Sequence, residues 1–398
     1  MDKTRIAITG IGAVSAAGPN ASALEQGLER GSRIFAPNRR HPVDFEIVVG
    51  EADEDWFAAT EHTSLESDTG RLCLAAAREC ARDAKDRGAG NPDGLVLGTS
   101  TGGQSQNEEI VFALVDQTQL PDFSYRRQGC MAAPSRLVAR DLDIRGPVQT
   151  VSTACTSSTN AIAVGATWLT NGRCNRVLAG GGDALCYTTI SSFHILELTG
   201  SKMCTPFGAD RPGMTLGDGA GFVLLERLDD VLASGREPLA ELLGFGMSGD
   251  AHHMTAPPED GAGAELAMRR ALKSAGLSPC DIHHINAHGT GTRLNDAAEA
   301  TAINKLFDSD MPVMSCKGLV GHTLGGAGGI EAVASVLAVG NRRAFENIGA
   351  RTPSEDCPVR LVPSGGLELP ENPIVLSNSF AFGGNNSSLV FGAPGSNR

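Results

Sequence analysis

The sequence predicts an α/β fold in which strands and helices alternate along the whole chain. Three observations carry this. Apolar runs of strand length recur, such as Leu95-Val96-Leu97-Gly98 and Phe222-Val223-Leu224-Leu225-Glu226. Between them lie stretches with apolar residues at helical spacing, such as Ala161 to Leu169 and Gly261 to Ala275. The pattern then restarts near residue 246, which divides the chain into 1–245 and 246–398. With 398 residues, 41% of them hydrophobic, one large globule or two fused domains can bury an ample core.

Taken in order, residues 5 to 12 read as a strand running from sheet edge to core. The run Gly10-Ile11-Gly12-Ala13-Val14-Ser15 breaks the dinucleotide fingerprint at Ser15, which argues against a nucleotide cofactor. A short helix over residues 21–31 and an irregular stretch to Glu54 follow. Gly70 to Arg87 is a helix on which Cys73 and Cys80, two turns apart, pack as small apolar residues. Leu95 to Gly98 is a buried strand closed by the loop Thr99-Ser100-Thr101-Gly102-Gly103. Residues 104–140 mix helix and loop and carry Arg126, Arg127, Arg136 and Arg140.

Val148 to Val151 reads as a short buried strand leading into Cys155 and the helix from Ala161. Strands at Arg176 to Gly180 and Phe222 to Glu226 complete the first part, with Gly181-Gly182-Asp183-Ala184 after the former. In the second part Leu242 to Gly246 is strand-like, and Ile282 to Asn286 leads into Asn286-Ala287-His288-Gly289-Thr290-Gly291-Thr292. A helix over Asp296 to Phe307 precedes Val313-Met314-Ser315, the loop Lys317-Gly318-Leu319-Val320-Gly321-His322, and a helix from Gly329 to Val339. Ile374 to Leu376 and Ser388 to Phe391 close the chain as paired strands. No repeat in the sequence is strong enough to prove a duplication.

Bulk properties exclude some functions. A net charge of −13 argues against a nucleic-acid partner, which needs a basic face. No apolar run approaches membrane-spanning length. Ten scattered cysteines without CxxC pairs, and no apolar leader before Met1-Asp2-Lys3, point to a reduced cytoplasm.

The chemistry gathers at Cys155 and two histidines. A cysteine between strand end and helix start meets unpaired N–H groups and the positive helix end, a setting expected to lower the thiol pKa. On that ground alone a nucleophile and a buried structural cysteine are equally good readings. His288 and His322 each stand beside glycines, which let backbone approach a ligand closely. One cysteine and two such histidines form the set an acyl-transfer site needs. Zinc at His284 and His288 would require a helix, which Gly289 and Gly291 deny.

Together with Ser377-Asn378-Ser379-Phe380-Ala381-Phe382-Gly383-Gly384-Asn385-Asn386, these motifs in this order resemble the β-ketoacyl-acyl carrier protein synthases, decarboxylating condensing enzymes. The resemblance implies a thiolase-like five-layer αβαβα sandwich of two similar halves. It implies that Cys155 carries the acyl chain, and that the N–H groups of Cys155 and Phe382 form an oxyanion hole. His288 and His322 would hold the malonyl-derived enolate, and Lys317 with Glu331 would form a buried ion pair behind them. Asp296 and Glu299 would support the His288 loop, and Thr290 and Thr292 would bond the pantetheine arm. Phe380 and Phe382 would contact substrate, and Thr101 would lie near the end of the acyl pocket. The implied partner is an acyl carrier protein bearing phosphopantetheine, with no metal or further cofactor, in a homodimer or a heterodimer with a related subunit.

Two relatives of other function resemble the same family. A thiolase has a second cysteine in its C-terminal glycine-rich motif, where residues 379–386 have none. A non-catalytic chain-length partner loses the nucleophile, which here is present. The region usual for carrier docking is acidic, with Glu61, Glu66 and Asp68 against Arg71, so Arg126, Arg127 and Lys202 are the expected docking cations. Gly208, Pro212, Asp218, Val320 and Ala381 depart from the common family residues. The variants at Val320 and Ala381-Phe382-Gly383-Gly384-Asn385 are similar to ketosynthases of polyene pathways, including aryl polyenes. Ala381 is expected to stiffen its loop by forbidding a positive φ.

Overall fold

Every residue of β1 (Ile6–Ser15) is apolar, small or hydroxylated, and every one is buried, the pattern of a strand covered on both faces. It belongs to a sheet with β2 (Gly94–Gly98), β3 (Val148–Val151), β4 (Arg176–Asp183) and β5 (Gly219–Arg227). The computed structural model describes residues 4–58, 66–122 and 126–395, the side chain of Arg127 excepted; Glu61 lies outside the described residues. The strand order is β3-β2-β4-β5-β1. β2 is parallel to β3 and β4, whereas β4–β5 and β5–β1 are antiparallel.

The second part repeats this arrangement. β6 (Ala240–Gly249), β7 (His284–Asn286), β8 (Pro312–Met314), β9 (Ile374–Ala381) and β10 (Asn385–Gly392) run in the order β8-β7-β9-β10-β6. β7 is parallel to β8 and β9, and β9–β10 and β10–β6 are antiparallel. Order and pairing sense match strand for strand, so the structure displays the duplication that the sequence left unproven. The two sheets join where Ile6 to Ile8 pair with Leu242 to Ala240. β6 therefore runs through residues 245 and 246 as the seam between the halves, and the short strand Arg360–Leu361 extends the far edge beside β8.

The helices complete five layers. The longer ones are α1 (Ala21–Arg30), α2 (Asp68–Asp86), α3 (Gln104–Val115), α4 (Ala133–Asp141), α5 (Ser157–Thr170), α6 (Tyr187–Ile195), α7 (Ala262–Ala275), α8 (Arg293–Leu306) and α9 (Ala327–Asn341), beside the short turns Leu228–Ala233 and Lys317–Val320. α2 and α4 lie outside the first sheet, α7 and α8 outside the second, and α5 and α9 fill the middle against strands of both sheets. α9 is apolar almost all round, as a helix buried on every side must be. The stretch Leu324–Asn341 has a mean hydropathy of 1.2 and is 83% buried inside the fold, so its apolarity is accounted for by the core.

The close approach of α5 and α9 to the sheets depends on glycine. A Cβ on Gly98 would sit 2.2 Å from the Ser157 carbonyl carbon, and one on Gly221 2.3 Å from that of Gly329. Bare backbone there lets the first turn of each central helix settle onto a strand.

Two sequence expectations need correction. β3 is not buried: it is the outer strand of its sheet, with a single neighbour, and Val148 is 40% exposed. β1 is not an edge strand, because β5 and β6 flank it on both sides.

Candidate active site

Cys155 stands at a sharp turn between β3 and α5. Ala154 carries it through a left-handed φ of 52°, a conformation costly for a side chain and found where the surroundings enforce it. Hydroxyls supply that enforcement. Ser157 Oγ accepts from Thr153 N at 2.9 Å and donates to the Ala154 carbonyl at 2.6 Å. Thr156 Oγ1 donates to the Thr153 carbonyl at 2.7 Å, and Asn160 Nδ2 donates to Thr153 Oγ1 at 2.9 Å. The polar run Thr153 to Asn160 is therefore what shapes the elbow.

The structure brings the sulfur to both histidines. His322 Nε2 lies 3.1 Å from Cys155 Sγ, and the two imidazoles meet edge to face with centroids 5.2 Å apart. The Phe382 N–H also points at the sulfur, as an oxyanion-hole donor would. The expectation of a lowered thiol pKa is overturned. Cys155 is 6% exposed, and burial pushes its thiol up to about 11, outweighing the Lys317 charge and the Phe382 N–H. The resting nucleophile is a neutral thiol beside a neutral imidazole.

Lys317 fixes the tautomer of His288. Its ammonium, 1% exposed, donates to His288 Nδ1 at 3.1 Å, to the His288 carbonyl at 2.7 Å, and to Glu331 Oε1. Three acceptors use all three ammonium hydrogens. With Nδ1 accepting, the His288 proton sits on Nε2, which faces the cavity as a donor. Burial pulls both histidines well below their usual range, with Lys317 adding to the effect. Glu331 is itself held by Ser379 Oγ at 3.2 Å, which bonds Thr159 on α5 at 2.7 Å.

Cys155, His288 and His322 present donor atoms within 4.8 Å of one another. With Lys317 donating to Nδ1, His288 turns an N–H rather than a lone pair toward the other two.

The acids of α8 hold the first histidine loop. Both Glu299 oxygens accept backbone N–H groups, from His288 and Gly289 at 2.8 Å each. Burial pushes this carboxyl up to about 7 against those two bonds. Asp296 accepts from Gly291 N at 3.2 Å and from Phe207 N at 2.8 Å. Gly289 and Gly291 take φ of 38° and 79°, so the loop needs its glycines.

A cleft of about 480 Å³ opens onto the sulfur, and Thr290, Thr292, Phe380, Ala381 and Phe382 line it. Thr290 and Thr292 bond each other through their hydroxyls at 2.9 Å. Thr101 does not line this cleft. Its hydroxyl donates to the buried Asp183 at 2.7 Å. Lys202 lies 3.9 Å from Asp210 on the surface, and Arg126 is exposed; the Arg127 side chain lies outside the described residues. Ala381 is extended, ends β9 and pairs with Asn385, while Gly383 and Gly384 carry the positive φ. The stiffening expected of Ala381 therefore has no basis in its backbone.

Sequence reasoning missed Asp183 as a member of this neighbourhood. An acid directly after Gly180-Gly181-Gly182 at a strand end was the available signal.

Two family models match the chain: beta-ketoacyl synthase, N-terminal domain, over residues 3–231, and beta-ketoacyl synthase, C-terminal domain, over residues 239–350. The chain belongs to the β-ketoacyl synthase family. A 3-oxoacyl-[acyl-carrier-protein] synthase 2 of Synechocystis sp. is 32% identical over 98% of each chain. Among solved structures, the ishigamide ketosynthase/chain length factor superposes with a TM-score of 0.91 at 30% identity, over 98% of this chain and 99% of that one. A ketosynthase (ApeO) in complex with its chain length factor (ApeC) from Xenorhabdus doucetiae gives 0.86 at 34% identity, over 98% of each. The protein is thus a condensing enzyme of the acyltransferase class with the thiolase-like fold. The two halves of this synthase supply different parts of its site, the cysteine from the first and both histidines from the second.

Proposed function

We propose that this synthase condenses malonyl-acyl carrier protein with an acyl chain held on Cys155, giving a β-ketoacyl-acyl carrier protein. The observation that carries the reading is the 3.1 Å Cys155–His322 contact beside a His288 whose Nε2–H is fixed by Lys317.

In the first half-reaction Cys155 Sγ attacks the thioester carbonyl of an acylated carrier. The thiol proton passes to His322 Nε2, and the N–H groups of Cys155 and Phe382 receive the charge on oxygen. The carrier thiolate leaves and takes the proton from His322. In the second, malonyl-carrier loses CO2, and the bonding pair forms an enolate whose oxygen accepts from the two Nε2–H groups. The enolate carbon attacks the Cys155 thioester carbonyl and the C–S bond breaks; the departing Cys155 thiolate takes up one proton from solvent to restore the thiol, and the product departs on its carrier.

His288 and His322 differ in freedom. Lys317 holds the former in one tautomer, whereas no protein atom among the described residues holds His322 Nδ1. His322 can therefore serve as base in one half-reaction and donor in the other. A non-catalytic chain-length role would need none of this apparatus.

Arg126, Arg127 and Lys202 dock the carrier on the sequence argument alone, the usual docking region being acidic; a ketosynthase-like subunit pairs with this chain, as the ketosynthase/chain length factor relatives support. The elongation of conjugated chains rests on the loop variants alone, and competition between carrier-bound saturated and 2,4-dienoyl primers of equal length tests it. Intact-protein mass spectrometry after exposure to acylated carriers tests the condensing reading. An acyl adduct confined to Cys155, discharged by malonyl-carrier, is the expected result; an adduct elsewhere, or none, would refute it.

A further inference from the structure

Asp183, at the end of β4, is fully buried and accepts hydrogen bonds from five groups among the described residues. Thr99 Oγ1 reaches it at 2.5 Å, Ser100 N at 2.9 Å, and Thr101 at 2.9 Å from its N–H and 2.7 Å from its hydroxyl. All of these belong to the loop after β2. The remaining donor comes from the other half of the molecule: Gly325 N, shortly after His322, lies 2.7 Å from Asp183 Oδ2. Behind Thr101, the Thr69 hydroxyl stands 3.1 Å away and itself accepts from Ala184 N at 3.0 Å. Burial raises the proton affinity of this carboxyl, and the donors facing it act in the opposite sense.

We propose that Asp183 is a positioning residue for the condensation. Its carboxylate ties the loop behind His322 to the loop behind β2, and so holds the imidazole on the Cys155 sulfur. The tie is short and stiff. A Cβ on Gly325 would lie 2.6 Å from Ser100 N and 2.7 Å from Asp183 Oδ2, so the two loops approach as closely as backbone allows. His322 is also fastened on its other side, its N–H donating to the Thr215 carbonyl at 2.7 Å and its carbonyl accepting from Gly217 at 3.1 Å. The Asp183 contact closes the clamp. It has an electrostatic consequence as well. The charged groups facing the thiol are Lys317, Asp183 and Glu331, and Asp183 works against ionisation of the sulfur.

The proposal rests on the condensing reading above. It is tested with Asp183→Asn and Gly325→Ala beside wild type, by malonyl-carrier decarboxylation and by the pH dependence of Cys155 alkylation with iodoacetamide, followed on the Cys155 peptide. Asp183→Asn removes the charge and one acceptor. Its kcat should fall by about ten-fold to 10²-fold, the range for a misplaced catalytic group, with KM little changed, and its alkylation midpoint should move to lower pH. Gly325→Ala wedges the loops apart but keeps the charge, so kcat should fall without that downward move. Should the Asn variant not fold, the kcat of Gly325→Ala decides the matter. Wild-type kcat in the folded variants, or an unmoved midpoint in Asp183→Asn, would overturn the proposal. A wild-type protein that releases no CO2 would count instead against the condensing reading.

Discussion

Replacing Lys317 by Met separates two roles of one ammonium, support of the fold and control of a tautomer. Met keeps an unbranched apolar stem in a site where the lysine side chain is 1% exposed and that of Glu331 2%. The substitution strands the Glu331 carboxylate with Ser379 as its remaining side-chain donor, at 3.2 Å. Removing one partner of a buried pair costs about 3–5 kcal/mol. Burial already raises the proton affinity of Glu331, and losing Lys317 raises it further. The native state then holds a proton that the unfolded chain releases near pH 4.5. The deficit is therefore smallest at acid pH and grows as pH rises. Catalysis fails for a separate reason. Without Lys317 the His288 proton can move to Nδ1, which turns a lone pair toward the enolate oxygen. Loss of such a donor costs about 10²–10³ in rate. The double variant Lys317→Met/Glu331→Gln removes both charges and should recover most of the stability while remaining slow. Thermal unfolding and CO2 release from malonyl-carrier, measured on the same preparations, check this. A double variant that regains decarboxylation along with stability would refute the tautomer argument.

Cys155→Ala should stop acylation yet still release CO2 from malonyl-carrier, because that step uses the histidines; continued condensation would remove Cys155 as the acyl carrier. His288→Ala and His322→Ala should each slow decarboxylation by about 10²–10³, with the double variant little worse than either; additive losses would assign them to separate steps. Alkylation of Cys155 should rise with pH toward a midpoint near 11, and saturation below pH 8 would contradict the burial argument. Glu299, pushed up to about 7 from 4.5, retains a proton on folding between those values. Its contribution to stability is thus full below pH 4.5 and is lost as pH rises to about 7. Glu299→Gln should remove that slope from the difference in unfolding free energy between wild type and variant.

The histidine loops could be found in the sequence because glycine and histidine in short fixed order leave few other uses for the segment. Glu299 and Asp296 could be placed because one helix follows directly on its loop. The sign of the thiol shift could not. A helix start promises positive potential, but the depth of Cys155 depends on strands and loops far away in the chain, and desolvation outweighs the Lys317 charge and the Phe382 N–H. β3 misled for a related reason: Val148 and Val151 read as core residues, yet Gln149 and Thr150 stand between them and the strand lies at the sheet edge. Asp183 was visible as a residue but not as a partner, since Gly325, which it binds, lies 142 positions away. The duplication was hidden because strand order, unlike side-chain identity, is not written in any local stretch.

The division of the site between two halves also bears on how the protein is made. Cys155 and His322 are 167 residues apart, so a growing chain exposes its nucleophile long before the base that activates it exists. The sulfur emerges as an ordinary thiol with no imidazole to take its proton and no Phe382 N–H to hold an oxyanion. The full set of catalytic groups is assembled only when β9 and β10 close beside β6, so that the site and the fold are completed in the same event.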